Sequence, residues 1–212
     1  MPKLPDTKPA TVPSQDDAPR TFQRMLSGRR LHLLDPSPLD LDLHDLVTGI
    51  SRVHRWCGQT TGETGFNVAH HSVLVERVLG EIVWPAAPLE PRRWALAHDL
   101  AEAVYGDIVT PVKAVLGAPY RELERRLDQA LCRAIGFEKG LHPKWRETVK
   151  EADRIAAVTE AVRLANWSEP EARELVGGNY RGKLWEGSLD PWPEAEARAQ
   201  WIARYRAVGG RF

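Results

Sequence analysis

Helical periodicity runs through most of this chain and constrains its fold more than any other feature. Apolar residues recur every three or four positions, most clearly over residues 43–56, 66–83 and 144–167. Such spacing places the apolar side chains on one face of an α-helix. Val, Ile, Thr and aromatic residues never alternate over the length of a strand. The sequence therefore predicts an all-α fold.

Proline and glycine mark where further helices begin and end. Pro91 can occupy the first turn of a helix, whereas Gly106 and Gly136 follow the last periodic residue of two others. With these signals, the remaining predicted helices span residues 92–105, a short segment opened by Pro111, residues 120–135 and residues 193–208.

The distribution of these patterns predicts one main domain with two appendages. Residues 1–20 contain five prolines and little that could be buried, so we expect a flexible leader there. Residues 21–168 carry the main helical pattern and form the predicted core. Residues 169–212 mix glycine, proline and aromatic residues before the last helix, and we expect them to pack on the core as a C-terminal extension.

Composition limits the partners of this protein. Lys plus Arg and Asp plus Glu are both 29, which argues against binding a nucleic-acid polymer through many phosphates but not against a small phosphorylated ligand. The sequence shows neither an apolar run of membrane-spanning length nor a signal peptide. Cys57 and Cys132 are too few for a disulfide framework. We therefore expect a cytoplasmic protein without a membrane partner.

Two histidines and two aspartates form the most informative set of polar residues. His71, the pair His98 and Asp99, and Asp153 lie on three different predicted helices among apolar neighbours. A single histidine in such a place is more often a hydrogen-bonded core residue. Two imidazoles and two carboxylates together, however, suit one divalent transition metal (Mn, Fe, Co, Ni or Zn) with positions left open for water and a phosphoryl oxygen.

Four short segments resemble the HD-domain metal-dependent phosphohydrolases in order and spacing. They are NVAHHS at 67–72, HDLAE at 98–102, GDIVTPVK at 106–113 and KEAD at 150–153. Within that superfamily the chain is most similar, over residues 43–164, to bacterial 5′-deoxynucleotidases and to phage-type deoxynucleoside triphosphohydrolases. The resemblance implies an HD-domain helical bundle.

The same resemblance implies roles for nine residues. It assigns the metal to His71, His98, Asp99 and Asp153, the attacking water to Glu102 and Asp107, phosphate to Arg55 and Lys113, and base stacking to Trp56. Mg²⁺ could accompany the substrate phosphates. A homodimer or higher homo-oligomer is also consistent with the family.

Each of the accompanying residues has an ordinary structural reading as well. Helix geometry places Glu102 on the face of His98 and Asp99, but it could be a solvated charge. Asp107 could cap a helix, Lys113 could be an exposed lysine, and Trp56 could be a core aromatic.

Two sequence features depart from a simple match. His44-Asp45 is a second HD dipeptide, which we interpret as a decoy because the family match places the metal dipeptide at His98. His70 stands where related sequences often carry Glu or Gln. Because adjacent helical residues point about 100° apart, His70 and His71 should not bind the same ion.

The favoured function is hydrolysis of a (deoxy)nucleoside monophosphate to nucleoside and phosphate. Three alternatives stay open at this point: a triphosphohydrolase that releases tripolyphosphate, an inactive metal-binding regulatory protein, and an oxygenase with two irons, which would need a further ligand such as His70.

Overall fold

The computed structural model describes residues 20–212, and helices dominate that range as the sequence predicts. The predicted leader lies outside the described residues except for Arg20. Two short strands, β1 (Phe22–Arg24) and β2 (Arg30–His32), precede the helices. The helices are α1 (Leu43–Arg52), α2 (Val68–Val78), α3 (Leu89–Ala97), α4 (Glu102–Tyr105), α5 (Thr110–Ala134), α6 (Pro143–Arg163), α7 (Glu169–Glu171) and α8 (Glu194–Ala207).

Helix α2 lies at the centre of the fold and contacts α1, α3, α6 and α8. Ten of its residues are buried, so it has no solvent-facing stripe of the kind that surface helices show. Asn67 begins the helix by accepting a hydrogen bond from the backbone N–H of His70 at 2.9 Å. Two successive histidines are thereby fixed inside the core.

The β-hairpin is a regular element that the sequence pattern did not predict. Its strands are three residues long and pair antiparallel, with Phe22 opposite His32. The backbone N–H of Ser27 donates to both carboxylate oxygens of Asp45, at 3.0 and 3.1 Å. The Ser27 hydroxyl donates to Oδ2 of the same carboxylate at 2.6 Å. The second HD dipeptide therefore fastens the hairpin turn to α1.

The helix predicted over residues 92–105 is broken in the middle, which corrects the prediction. Helix α3 ends at Ala97, and α4 begins at Glu102. Between them the backbone N–H of Glu102 donates to the carbonyl of Asp99 at 3.0 Å, a tighter i to i−3 pattern. The carbonyl of Ala95 instead meets Nδ1 of His98 at 2.7 Å. A side chain thus takes the acceptor that a continuous helix would use for its backbone.

Helix α5 is bent at Gly117, which separates the two helices predicted on either side of it. Gly117 has φ +68° and ψ −141°, a conformation that side chains with a Cβ avoid. The first half of α5 carries Lys113 and can therefore take its own direction.

Helices α1 and α4 pack closely because Gly49 on α1 has no side chain. A Cβ placed on Gly49 would lie 2.6 Å from the Cβ of Ala103, well inside van der Waals contact. Because Ala103 follows Glu102 directly, this contact sets the position of α4 and of that carboxylate.

The C-terminal region contributes large side chains to the core. Trp201 on α8 is fully buried, and its Nε1–H donates to the carbonyl of Leu96 at 2.8 Å. The buried carboxylate of Glu76 on α2 is bound by Arg92 of α3 and by Arg204 of α8, at 2.6 and 2.5 Å. No helix between residues 20 and 212 is both long enough and apolar enough to cross a membrane.

We expect Glu76→Gln to lower the free energy of unfolding by about 2–3 kcal/mol. This loss is smaller than the loss from breaking a fully buried ion pair, because both arginines stay partly exposed. An amide cannot balance two guanidinium charges. Urea unfolding followed by circular dichroism measures the change. The exposed Glu147→Gln on α6 is the matched control, and equal stability of the two variants would contradict the expected role of Glu76.

Candidate metal centre

The structure brings the four predicted metal ligands together. They come from α2 (His71), the turn between α3 and α4 (His98 and Asp99) and α6 (Asp153). The Nε2 atom of His71 lies 3.4 Å from Oδ2 of Asp99 and 3.1 Å from Oδ1 of Asp153. The Nε2 atom of His98 lies 3.2 and 3.9 Å from the same two oxygens. Both carboxylates therefore face both imidazoles.

The second nitrogen of each imidazole is held by an acceptor outside the cluster. Nδ1 of His98 meets the carbonyl of Ala95, which can only accept, so this nitrogen carries the proton. Nδ1 of His71 lies 2.6 Å from Oε1 of Glu160. With the protons at Nδ1, both Nε2 atoms offer lone pairs toward the carboxylates, the arrangement found in metal-binding histidines.

The donor set fits a divalent transition metal. Both Nε2 atoms are buried and make no well-formed hydrogen bond to any described residue. One ligand atom each from His71, His98 and Asp99 falls within 4.8 Å of the others, and Asp153 adds a second carboxylate beside both imidazoles. Mixed imidazole and carboxylate donors suit Mn, Fe, Co, Ni or Zn.

The electrostatics of the cluster also suit a cation. Burial alone would lower the pKa of His98, but the carboxylate of Asp99 outweighs it and raises that pKa. Burial alone would raise the pKa of Asp99, yet His98 and His71 hold it well below its usual range. The carboxylates are thus ionised and attract positive charge, which protons or a metal ion can supply.

Glu102 and Asp107 flank the cluster. Glu102 is only 5% exposed, and its Oε2 atom has no hydrogen-bond partner among the described residues. Burial, followed by the nearby charges of Asp99 and Asp107, raises the pKa of Glu102 to about 9. Asp107 lies beyond the turn at Gly106, and its Oδ2 is 3.7 Å from Nη1 of Arg55. A buried carboxyl with a raised pKa is typical of groups that transfer protons.

Arg55 and Trp56 lie in a turn rather than on the predicted helix. Helix α1 ends at Arg52, and the backbone N–H of Arg55 donates to the carbonyl of Phe66 at 2.8 Å. The guanidinium of Arg55 is 2.9 Å from Glu160 and 3.8 Å from Asp99. Arg55 therefore borders the cluster.

Lys113 has a carboxylate partner of its own. Its Nζ atom lies 3.1 Å from Oε1 of Glu124 and 5.9 Å from the centre of the Tyr120 ring. Burial alone would lower the pKa of Lys113, but Glu124 and the acids around the cluster, Glu102 and Asp99, raise it. The ammonium group is charged and lies within the field of the cluster.

Glu160 is the residue that the sequence interpretation missed. It is fully buried and binds three of the predicted site residues, Arg55, Trp56 and His71. It follows Asp153 by seven positions, so the two acids share a face of α6. An acid in the apolar stripe of a helix, two turns after a predicted ligand, is a signal that could have identified it.

The two departures noted in the sequence have structural explanations. His70 is buried and stacks on Trp192, with ring centres 3.6 Å apart and planes inclined by 5°. Burial lowers the pKa of His70 to about 3, so the ring is neutral and behaves as a core aromatic. His44 packs edge-on against Phe212 at 4.2 Å, while Asp45 holds the hairpin.

If the cluster binds metal, Zn²⁺ or Mn²⁺ should raise the midpoint of thermal unfolding, because a ligand at 100 times its Kd adds about 2.7 kcal/mol to stability. His98→Ala should remove most of this increase. His44→Ala, in the second HD dipeptide, is the matched control and should retain it. An increase of equal size in both variants would place the binding elsewhere.

Comparisons with known proteins identify two sequence relatives. The chain is 40% identical to the uncharacterised protein RCAP_rcc00048 of Rhodobacter capsulatus over 192 residues, which cover 89% of this chain and 96% of that protein. It is 30% identical to the uncharacterised protein YfdR of Escherichia coli over 141 residues, or 66% of this chain and 70% of that protein. No family model matches the chain.

A distant likeness is found to a solved structure. It is the cyanophage S-2L HD phosphohydrolase DatZ bound to dA and one catalytic Zn²⁺ ion, with 23% identity, 80% of this chain and 97% of that chain covered, and a TM-score of 0.48. The two sequence relatives, matched over most of their lengths, show that the chain belongs to the family of RCAP_rcc00048 and YfdR.

Proposed function

We propose that this protein is a metal-dependent phosphohydrolase that acts on a small nucleotide. One observation carries the proposal: two imidazole Nε2 atoms and two carboxylates converge beside a largely buried cation, Arg55, and a buried acid, Glu102, whose Oε2 atom has no hydrogen-bond partner among the described residues. A purely structural ion cluster would have no use for an additional carboxyl without a partner, because burying one is costly. A site that transfers protons requires such a group.

His71, His98, Asp99 and Asp153 would hold one divalent cation. Such an ion, when bound, lowers the pKa of water and offsets charge on a phosphoryl oxygen. The native metal is left open among Mn, Fe, Co, Ni and Zn by this donor set. Mg²⁺ could be carried by the substrate phosphates.

The remaining residues would bind phosphate and move protons. Arg55 presents a planar guanidinium suited to phosphate oxygens, and Lys113 supplies a second positive charge. Hydrolysis joins a water oxygen to phosphorus and breaks the bond to the ester oxygen, which must gain a proton. Glu102 would exchange that proton at Oε2, and Asp107 would help to orient the water while also binding Arg55. Trp56 would contact the base.

A nucleoside monophosphate is the substrate that we favour, with nucleoside and phosphate as products. The sequence resemblance to 5′-deoxynucleotidases supports this choice. Charge supports it too, because Arg55 and Lys113 are both already paired with carboxylates, at 2.9 and 3.1 Å. Such partly neutralised cations suit a monophosphate better than the larger charge of a triphosphate.

Product analysis tests this proposal. The protein would be incubated with deoxynucleoside mono- and triphosphates plus Mn²⁺, Co²⁺, Zn²⁺ or Mg²⁺, and the products separated by chromatography. We expect nucleoside and inorganic phosphate from a monophosphate. Tripolyphosphate would identify a triphosphohydrolase instead, and metal binding without turnover would indicate a regulatory protein.

We expect Glu102→Gln to lower kcat by about 10²–10⁴-fold, the usual contribution of a general acid or base. Metal affinity should change little, because the amide keeps the size of the side chain and Glu102 lies outside the four ligands. Phosphate release and metal titration measure the two quantities. Glu147→Gln is the matched control, and an unchanged kcat in Glu102→Gln would exclude the proposed role.

A further inference from the structure

Glu160 uses both carboxylate oxygens to bind three side chains of the site. Oε1 faces Nδ1 of His71 at 2.6 Å. Oε2 accepts from Nε of Arg55 at 2.9 Å and from Nε1 of Trp56 at 3.0 Å. The side chain is fully buried, so water does not compete for these bonds. One carboxylate thus contacts both a predicted metal ligand and two predicted substrate contacts.

The turn that Glu160 binds has an unusual backbone. Trp56 and Cys57 have φ values of +57° and +52°, in the left-handed region that bulky side chains rarely occupy. Backbone bonds secure the turn, with Gly58 N–H donating to the carbonyl of Arg55 at 3.0 Å. Those backbone bonds do not fix the directions of the Arg55 and Trp56 side chains. The hydrogen bonds from these two side chains to Oε2 of Glu160 fix them.

Charge neutralisation alone does not account for this arrangement. Arg55 already has carboxylate oxygens of Asp99 and Asp107 at 3.8 and 3.7 Å. The indole N–H of Trp56 is neutral and needs no counter-ion, yet it shares the same oxygen. The bond to His71 keeps the proton on Nδ1 and leaves Nε2 as the lone-pair donor. These three contacts together orient side chains rather than merely balance charge.

We propose that Glu160 is a positioning residue that couples metal binding to nucleotide binding. It fixes the metal-ligating tautomer of His71 with one oxygen and the placement of Arg55 and Trp56 with the other. The nucleotide half of this inference rests on the proposed function, whereas the metal half does not.

Glu160→Met tests both halves, because methionine fills a similar volume and accepts none of the three hydrogen bonds. The Kd for Zn²⁺, measured without substrate by competition with a chromophoric chelator, should rise about 10–100-fold, the usual effect of losing a metal ligand's hydrogen-bond partner. The KM for a deoxynucleoside monophosphate should rise as well. Circular dichroism and thermal unfolding establish that the variant is folded.

Glu160→Gln provides a second variant that keeps the shape and is less disruptive. Its amide has one oxygen and one NH₂ group, so either His71 or the pair Arg55 and Trp56 must face a donor instead of an acceptor. We therefore expect at least one of the two readouts, Kd for Zn²⁺ or KM, to worsen by about tenfold. Glu151→Gln, an exposed glutamate on the same helix, is the matched control and should change neither.

Trp56→Phe separates the effect on nucleotide binding from the effect on metal binding, because it removes the indole N–H that donates to Glu160 and leaves His71 unchanged. It should raise KM and leave the Kd for Zn²⁺ within about twofold of the original value. The proposal is overturned if Glu160→Met and Glu160→Gln both keep Kd and KM within about twofold. It is also overturned if Trp56→Phe weakens Zn²⁺ binding as much as Glu160→Met does. If no nucleotide is hydrolysed, the proposed function fails, while the Zn²⁺ measurement still tests the contact with His71.

Discussion

The mutual approach of two imidazoles and two carboxylates is the constraint on which the rest of the site depends. These groups come from three separate segments of the chain and belong to His71, His98, Asp99 and Asp153. The distances from each imidazole Nε2 atom to the two carboxylate oxygens are 3.1 to 3.9 Å. Bringing such groups together out of water is costly unless positive and negative charges balance. Protons on the histidines or a divalent cation can supply that balance. The surrounding helices are therefore arranged to keep the four side chains in one place.

Local departures from regular helix geometry deliver these groups. The break at His98 turns Asp99 and Glu102 toward the cluster, because the imidazole occupies a carbonyl that a continuous helix would use. The turn after α1 projects Arg55 into the same region. Regular helices carry the other two residues of the cluster, with α2 holding His71 in the core and α6 holding Asp153 on the same face as Glu160. The scaffold is regular where it must be rigid and irregular where a side chain must be redirected.

Apolar periodicity was enough to predict most of the fold, since it reports which face of a helix is buried. It did not predict the hairpin, because three-residue strands are too short to show alternation and depend on Asp45 for their turn. Nor did it predict the break at His98, since the surrounding alanine and leucine residues favour a continuous helix and the competing bond comes from a side chain. Tertiary contacts and local side-chain bonds decided these elements.

The four residues of the cluster could be singled out from the sequence because two histidines and two aspartates among apolar neighbours are unusual, and because the segments that carry them resemble those of HD-domain phosphohydrolases. Glu160 was not recognised, because a glutamate in a long helix is usually a solvated surface charge. Its three partners also lie 89 to 105 positions away in the sequence. His70 illustrates the opposite difficulty, since its stacking on Trp192 depends on a distant part of the chain.

A crystal of the protein soaked with Zn²⁺ and measured at the zinc absorption edge would show directly whether His71, His98, Asp99 and Asp153 bind one metal ion. We expect one strong anomalous peak about 2.0–2.1 Å from Nε2 of His71 and Nε2 of His98, with oxygens of Asp99 and Asp153 completing the protein ligands. A peak at other side chains, or none near these four residues, would contradict a metal centre at this cluster.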